Sequence, residues 1–228
     1  MRILALEFSS DARSVAVIEG PPARAGAPVV RGRAAQSAGR ATRAFALITA
    51  ALREAGLERE DIDTLAVGLG PGSYTGIRLA LAVAQGWQLA RPVRVLGVDS
   101  VEVLAARAHQ EGLRGPVTFL LDAQRGEFYA AQQELAAAGS RVTRPLWLAR
   151  AEEGAALAAG PGTLVVEPAL AARFPGARIL EPEAGLLGLR AAARGPGAAG
   201  PAEALEPVYL RPDTFVKAPP PRVLPPTP

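Results

Sequence analysis

The sequence predicts an α/β fold built from two related units, and three observations carry that reading. ILALEF, the polar turn SSDAR and SVAVIE form a strand, a tight connection and a return strand at the start. A similar succession recurs in VTFLLDAQRGEFYAAQQE, where Asp122 falls opposite Glu7 and Tyr129 opposite Ser14. Self-similarity of this kind marks a duplicated unit. Between the two hairpins, short apolar strands alternate with helical patterns, the arrangement of a sheet covered by helices.

The elements follow in order. A Pro/Gly loop covers Gly20 to Pro28, and VVRGRA is the third strand. Ala41, Phe45, Ile48 and Leu52 recur at helical spacing and predict an amphipathic helix ending at Gly56. TLAVGL and VRVLGV are strands on either side of a helix, and Asp99 or Ser100 caps the next one. The order of the first unit is therefore βββαβαβα. Beyond Gly139 the pattern weakens to helical pieces at Ala149 to Ala159 and Glu183 to Arg194, a strand at TLVVE and a loop at Gly195 to Gly200. The expected division is 1–115, 116–218 and a proline-rich tail at 219–228, extended and solvated.

Composition excludes several chemistries. A chain of 228 residues can bury a substantial core without staples. It has no cysteine, so disulfides, thiolate nucleophiles and zinc thiolates are excluded, and the one histidine, His109, cannot build a multi-imidazole metal site. The opening MRILALEF enters a strand directly and does not read as a signal peptide, and the apolar run near Leu79 to Ala90 is too short to span a bilayer. A cytoplasmic protein without membrane association is expected. The pI of about 9.9 reflects arginine, since Lys217 is the only lysine, and no dense arginine cluster interleaves with aromatics.

The segment GLGPGSYTGIRLALAVAQG, Gly68 to Gly86, is a glycine-rich turn leading into a helix with almost no polar face. A Walker loop needs Lys and then Ser or Thr after its last glycine, but Gly76 is followed by Ile77 and Arg78. The dinucleotide fingerprint fails as well, because Gly70, Gly72 and Gly76 have the wrong spacing. Ser73 or Thr75 can cap the helix. A helix apolar nearly all round is buried on most sides, either as a core helix or with one face on its sheet and the other on a partner.

These residues carry a resemblance. GLGPGSYTGIRLALAVAQG, with ILALEFSSDARSVAV before it and LGVDSVEVLAARA and LLDAQRGEFYAA after it, resembles the TsaB (YeaZ) family from Met1 to about Gln133, and PVYLR at Pro207 to Arg211 resembles that family's C-terminal end. The resemblance implies a duplicated ASKHA fold (actin, sugar kinase, Hsp70), with the second unit degenerate. It implies a noncatalytic subunit that pairs with the transferase TsaD and works with TsaE. Its role would be to support threonylcarbamoyl transfer to adenosine 37 of tRNA, which it meets through the complex.

The pairing surface implied consists of Phe45, Ile48 and Leu52 on the first helix with Ser73, Tyr74, Ile77, Arg78, Leu81 and Ala84 on the second. Periodicity alone also allows these to be a core stripe, and a homodimer through the same helices is the alternative pairing. No cofactor of its own is implied, and ATP or ADP at the interface with TsaD stays open. The sequence departs from the family at Glu7, where relatives commonly have Asp, and in lacking a histidine near Gln36 to Gly39. Nucleotide-site glycines are not visible in TLVVEPALAARF. The competing reading is an autonomous ATPase or phosphotransferase, with Glu7 and Asp122 around magnesium and Ser9, Ser10 and Arg125 near the phosphates. A peptidase would have to rely on His109.

Overall fold

The computed structural model describes residues 1–20, 26–37, 41–195 and 205–211. The first unit comprises β1 (Arg2–Glu7), β2 (Arg13–Glu19), β3 (Val29–Gln36), α1 (Ala44–Ala55), β4 (Thr64–Gly68), α2 (Tyr74–Ala90), β5 (Arg94–Val98) and α3 (Ser100–Gln110). The second comprises β6 (Gly115–Asp122), β7 (Phe128–Ala136), β8 (Gly139–Ala149), α4 (Ala151–Ala158), β9 (Thr163–Val166), β10 (Arg178–Ile179) and α5 (Ala184–Arg194). The proline-rich tail and all but Gly195 of the expected loop lie outside the described residues.

The strands form two five-stranded sheets ordered β3-β2-β1-β4-β5 and β8-β7-β6-β9-β10. Position by position these are the same sheet, with two antiparallel pairings followed by parallel ones. The hairpin likeness in the sequence thus reflects duplication of the whole unit, the architecture expected of a duplicated ASKHA fold. The second unit is degenerate where the first is most elaborate: a three-residue 3-10 turn, Pro168–Leu170, follows β9 in the place α2 occupies after β4, and β10 has two residues.

The units are stacked through their helices. Val101, Leu104 and Ala108 of α3 pack with Phe119, Ala131 and Val165 of the second sheet. Reciprocally, Ala184, Leu187 and Ala191 of α5 pack with Ile3, Ala5 and Ile18 of the first. The other face of the first sheet carries α1 and α2, and that of the second carries α4. At two points the packing brings helix backbone against its neighbour with no room for a side chain. A Cβ on Gly32 would lie 2.2 Å from the Ala51 carbonyl, and one on Gly76 would lie 2.0 Å from that of Phe8. Among the described residues no helix is long and apolar enough to cross a membrane.

Two strands depart from the sequence expectation, the two-residue β10 and the longer β8. The weak region after Gly139 contains β8, an edge strand paired only with β7 and interrupted by register shifts. Its residues Arg141 to Pro145 are all exposed, so they lack the apolar alternation that identifies a half-buried strand. The proline and arginines are typical of a protected edge.

Candidate functional site

Two features stand out: a cleft where the hairpin turns of both units meet, and the outer face of α1 and α2. In the cleft, β1 ends at Glu7, which is fully buried. The Ser9 amide donates to its Oε1 at 2.9 Å, and the Ser100 hydroxyl lies 3.2 Å from its Oε2 and 2.9 Å from Ser9 Oγ. A Cβ on Gly68 would stand 2.3 Å from Glu7 Oε2, so the carboxylate occupies the space that a side chain on β4 would need. Burial pushes the Glu7 carboxyl above its ordinary range, with the hydrogen bonds from Ser9 and Ser100 and the charge of Arg13 opposing it.

The glycine-rich turn passes over this network. Gly72 has φ of 147° and would place a Cβ 2.2 Å from the Ser9 carbonyl, so only glycine fits. Ser73 caps α2 as expected, its hydroxyl accepting from the Gly76 amide at 3.3 Å. The same hydroxyl accepts from the Arg13 guanidinium at 2.9 Å, and Arg13 also donates to the Phe8 carbonyl. A cation therefore stands at the helix start where a phosphate loop would hold an anion.

The cleft itself has a volume of about 430 Å³. Ser10, Asp11 and Ser73 line it from the first unit, and Asp122, Tyr129 and Glu167 from the second. Glu167 accepts from the Asp122 amide, and burial is the main cause that raises its carboxyl, followed by the opposing pull of that hydrogen bond and the repulsion of neighbouring carboxylates. Asp122 accepts from the amide and side chain of Gln124 at 2.8 and 2.9 Å.

Of the residues in the competing phosphotransferase arrangement, Ser9, Ser10 and Asp122 line the cleft together, and Glu7 and Arg125 do not. Glu7 is sealed inside the first sheet, Ser9 is only 3% exposed and bonded to Ser100, while Asp122 lines the cleft. Arg125 is an exposed turn residue in the left-handed region and does not line the cleft. Among the described residues no group of three or more His, Asp or Glu is arranged to hold a metal. His109 sits at the end of α3 with Nε2 2.9 Å from the Ala136 carbonyl, away from the cleft lining.

A strap crosses the cleft. The Val208 amide donates to the Leu69 carbonyl at 2.8 Å, and the Tyr209 ring meets that of Tyr74 at 6.0 Å between centroids. Arg211 then reaches the second hairpin, donating to the Ala123 and Gln124 carbonyls at 2.9 and 3.3 Å and to Glu127 at 2.6 Å. PVYLR thus ties the two units together, a role that no local pattern in those five residues reveals.

The outer helical face redraws the expected interface. Ile48, Leu52, Ile77, Leu81 and Ala84 belong to the chain's own core, each 6% exposed or less. They pack in the core because the larger side chains of α1 and α2 turn onto the sheet, and Leu81 also lines the groove beside Tyr74 and Arg78. Phe45, Tyr74 and Arg78 are exposed, and Ser73 is partly buried at its cap. What α2 presents outward is Tyr74, Arg78, Ala82, Gly86 and Ala90, one residue per helical turn, with Leu89 beside them. Between this ridge and α1 runs a groove of about 550 Å³, lined by Phe45, Leu79 and Trp87. Among the described residues the Trp87 indole N–H is buried without a hydrogen-bond partner. On the ridge's other side, a second groove of about 720 Å³ lies against Pro207 and Tyr209 of the strap.

Comparison with known proteins places this arrangement. A family model described as "TsaD: tRNA N6-adenosine threonylcarbamoyltransferase" matches residues 37–145. Two solved structures from Pseudomonas aeruginosa, one of YeaZ and one of a protein described as similar to peptidase YeaZ, superpose with TM-scores of 0.72 and 0.74 at 28% and 29% identity, each covering 92% of this chain and 99% of theirs. The Escherichia coli protein TsaB, named as a tRNA threonylcarbamoyladenosine biosynthesis protein, is 31% identical over 134 residues, 59% of this chain and 55% of that relative. The chain is similar to proteins of the TsaB (YeaZ) family. It spans about half the length of this curated relative in that alignment. The matched region 37–145 contains α1, the glycine-rich turn, α2 and the second hairpin, and so contributes to both the outer face and the cleft.

Proposed function

We propose that this chain is the noncatalytic subunit that pairs with TsaD in the cytoplasm and supports threonylcarbamoyl transfer to adenosine 37 of tRNA. One observation carries the pairing: the outward ridge of α2 is built of residues that its own fold does not require to be small. A Cβ on Gly86 would meet nothing within 4 Å. A glycine inside a helix costs about 1 kcal/mol relative to alanine. An empty surround offers no compensation within the chain, whereas a partner helix approaching closely would use it. The apolar groove beside α1 and the mixed polar and apolar groove against the strap supply the area such a helix would cover.

The noncatalytic part of the reading is supported by the burial of Glu7 and by a cleft whose carboxylates would repel phosphates. TsaE and tRNA enter through the assembled complex, and any ATP or ADP would sit at the interface with TsaD. The test is a threonylcarbamoyl transfer assay with TsaD and TsaE from the same source, with and without this chain. Modification that depends on the chain, while the chain alone neither modifies tRNA nor hydrolyses ATP, is the expected result. Unchanged modification in its absence, or hydrolysis by the chain alone that is lost on Asp122→Ala, contradicts it.

A further inference from the structure

The groove beside α1 contains a donor that the fold leaves unused. Phe45 of α1 and Leu79, Val83 and Trp87 of α2 form its walls, with Arg59 and Glu60 of the 3-10 turn Arg59–Asp61 at the rim. Among the described residues the Trp87 indole N–H is the one buried side-chain polar atom without a hydrogen-bond partner. A buried donor in that condition is costly, and an occupant of the groove that brings an acceptor removes the cost. Gly86, next to Trp87 on the groove wall, has open space where its Cβ would stand, so there is room for an occupant to approach the indole.

Apolar walls with a single free donor suit a ligand rich in acceptors and short of donors. A helix has spent its carbonyls on its own amides, and a strand carries an amide donor for every carbonyl. A polyproline II segment keeps all its carbonyls free, and each proline removes a donor. Such segments dock in grooves with aromatic walls, which Trp87 and the 62% exposed Phe45 supply here.

The chain carries a segment of this kind. PPPRVLPPTP at 219–228 has six prolines in ten residues. The described strap that precedes it lies along the other flank of the α2 ridge at Pro207 and Tyr209, with the Tyr209 ring 6.0 Å from that of Tyr74 at the start of α2. The intervening residues 212–218 can span about 23 Å when extended, against a helix only about 10 Å across. From Leu79 to Arg91 the groove follows α2 for about 18 Å, the length of about six residues of polyproline II.

We propose that the proline-rich segment 219–228 docks in this groove of its own chain, its prolines against Phe45 and Trp87 and one of its backbone carbonyls accepting from the Trp87 indole N–H. The rim charges of Arg59, Glu60 and Arg91 largely cancel at the surface and add little to the fit with Arg222. Ala82 and Gly86 of the ridge line the same groove, so the docked segment shields part of the face offered to TsaD. That consequence rests on the pairing reading, whereas the docking does not.

Nitrogen-15 relaxation of the full chain without TsaD tests the docking, because Val223 and Leu224 carry amides between the prolines. In the parent these amides should relax like those of the folded body, unchanged on tenfold dilution. Phe45→Ala removes an exposed side chain, so the melting temperature should hold while the Val223 and Leu224 amides move towards free-chain values. Trp87→Phe keeps an aromatic wall and removes only the donor, and should lower the ratio of docked to free segment about 3- to 10-fold, the value of one neutral hydrogen bond. Replacing Pro225 and Pro226 together by glycine should speed exchange of the Trp87 indole proton with solvent. The proposal is overturned if Val223 and Leu224 relax as free chain in the parent, if their order is lost on dilution and so comes from a second copy, or if it survives both Phe45→Ala and Trp87→Phe.

Discussion

Glu7 is a carboxylate enclosed by its own sheet, and its consequences appear in stability against pH. Desolvation raises its folded-state pKa above the ordinary carboxylate value of 4.5. Above that value the unfolded chain has released the proton while the folded chain still holds it, so the Glu7 contribution to stability falls as pH rises from 4.5 towards the folded-state pKa. Glu7→Gln keeps an acceptor for the Ser9 amide and removes the ionisation. The variant should be more stable than the parent at neutral pH, with the difference closing below pH 4.5, as denaturant melts across pH would show. At this scale the sequence shows a carboxylate at the end of a strand. Its burial is not legible there, because it depends on Gly68 and Ser100, distant positions that only the fold brings beside it.

Helix α2 is an element with two opposite faces, and two positions two residues apart separate them. Ala84 is fully buried against the sheet, so Ala84→Arg should cost at least about 3 kcal/mol and compromise the fold. Ala82 is exposed on the ridge, and Ala82→Arg should change monomer stability by no more than about 0.5 kcal/mol while preventing pairing. Gly86→Ala should stabilise the isolated chain by about 0.5–1 kcal/mol and weaken pairing, a divergence that thermal melts and binding titrations together would reveal. The apolar character of α2 was legible in Ile77 to Ala90, but the direction of each face was not. Helical spacing groups Phe45 with Ile48 and Leu52, yet Phe45 is 62% exposed while Ile48 is buried. Which of several apolar stripes meets the sheet is decided by packing partners such as Gly32 under α1.

The whole molecule is a stack of helices and two sheets, closed across its cleft by a strap. Tyr74 and Tyr209 line both the cleft and the groove beside α2, so the outer face and the cavity share a wall. Arg211→Ala removes the hydrogen bonds to Ala123, Gln124 and Glu127 and should cost about 1–3 kcal/mol, with faster hydrogen exchange in the 123–127 turn. Duplication was legible in the two hairpins because apolar alternation and turn chemistry are local. The degenerate parts, β8 and β10, were not, since one is an exposed edge and the other has only two residues. The central claim concerns the outward face of α2. Light scattering on size-exclusion eluates of this chain mixed with TsaD of the same source tests it most directly, using the parent and Ala82→Arg side by side. A heterodimer with the parent and separate monomeric peaks with a folded Ala82→Arg variant is the result predicted. No complex with the parent, or an equally stable complex with the variant, would contradict the account.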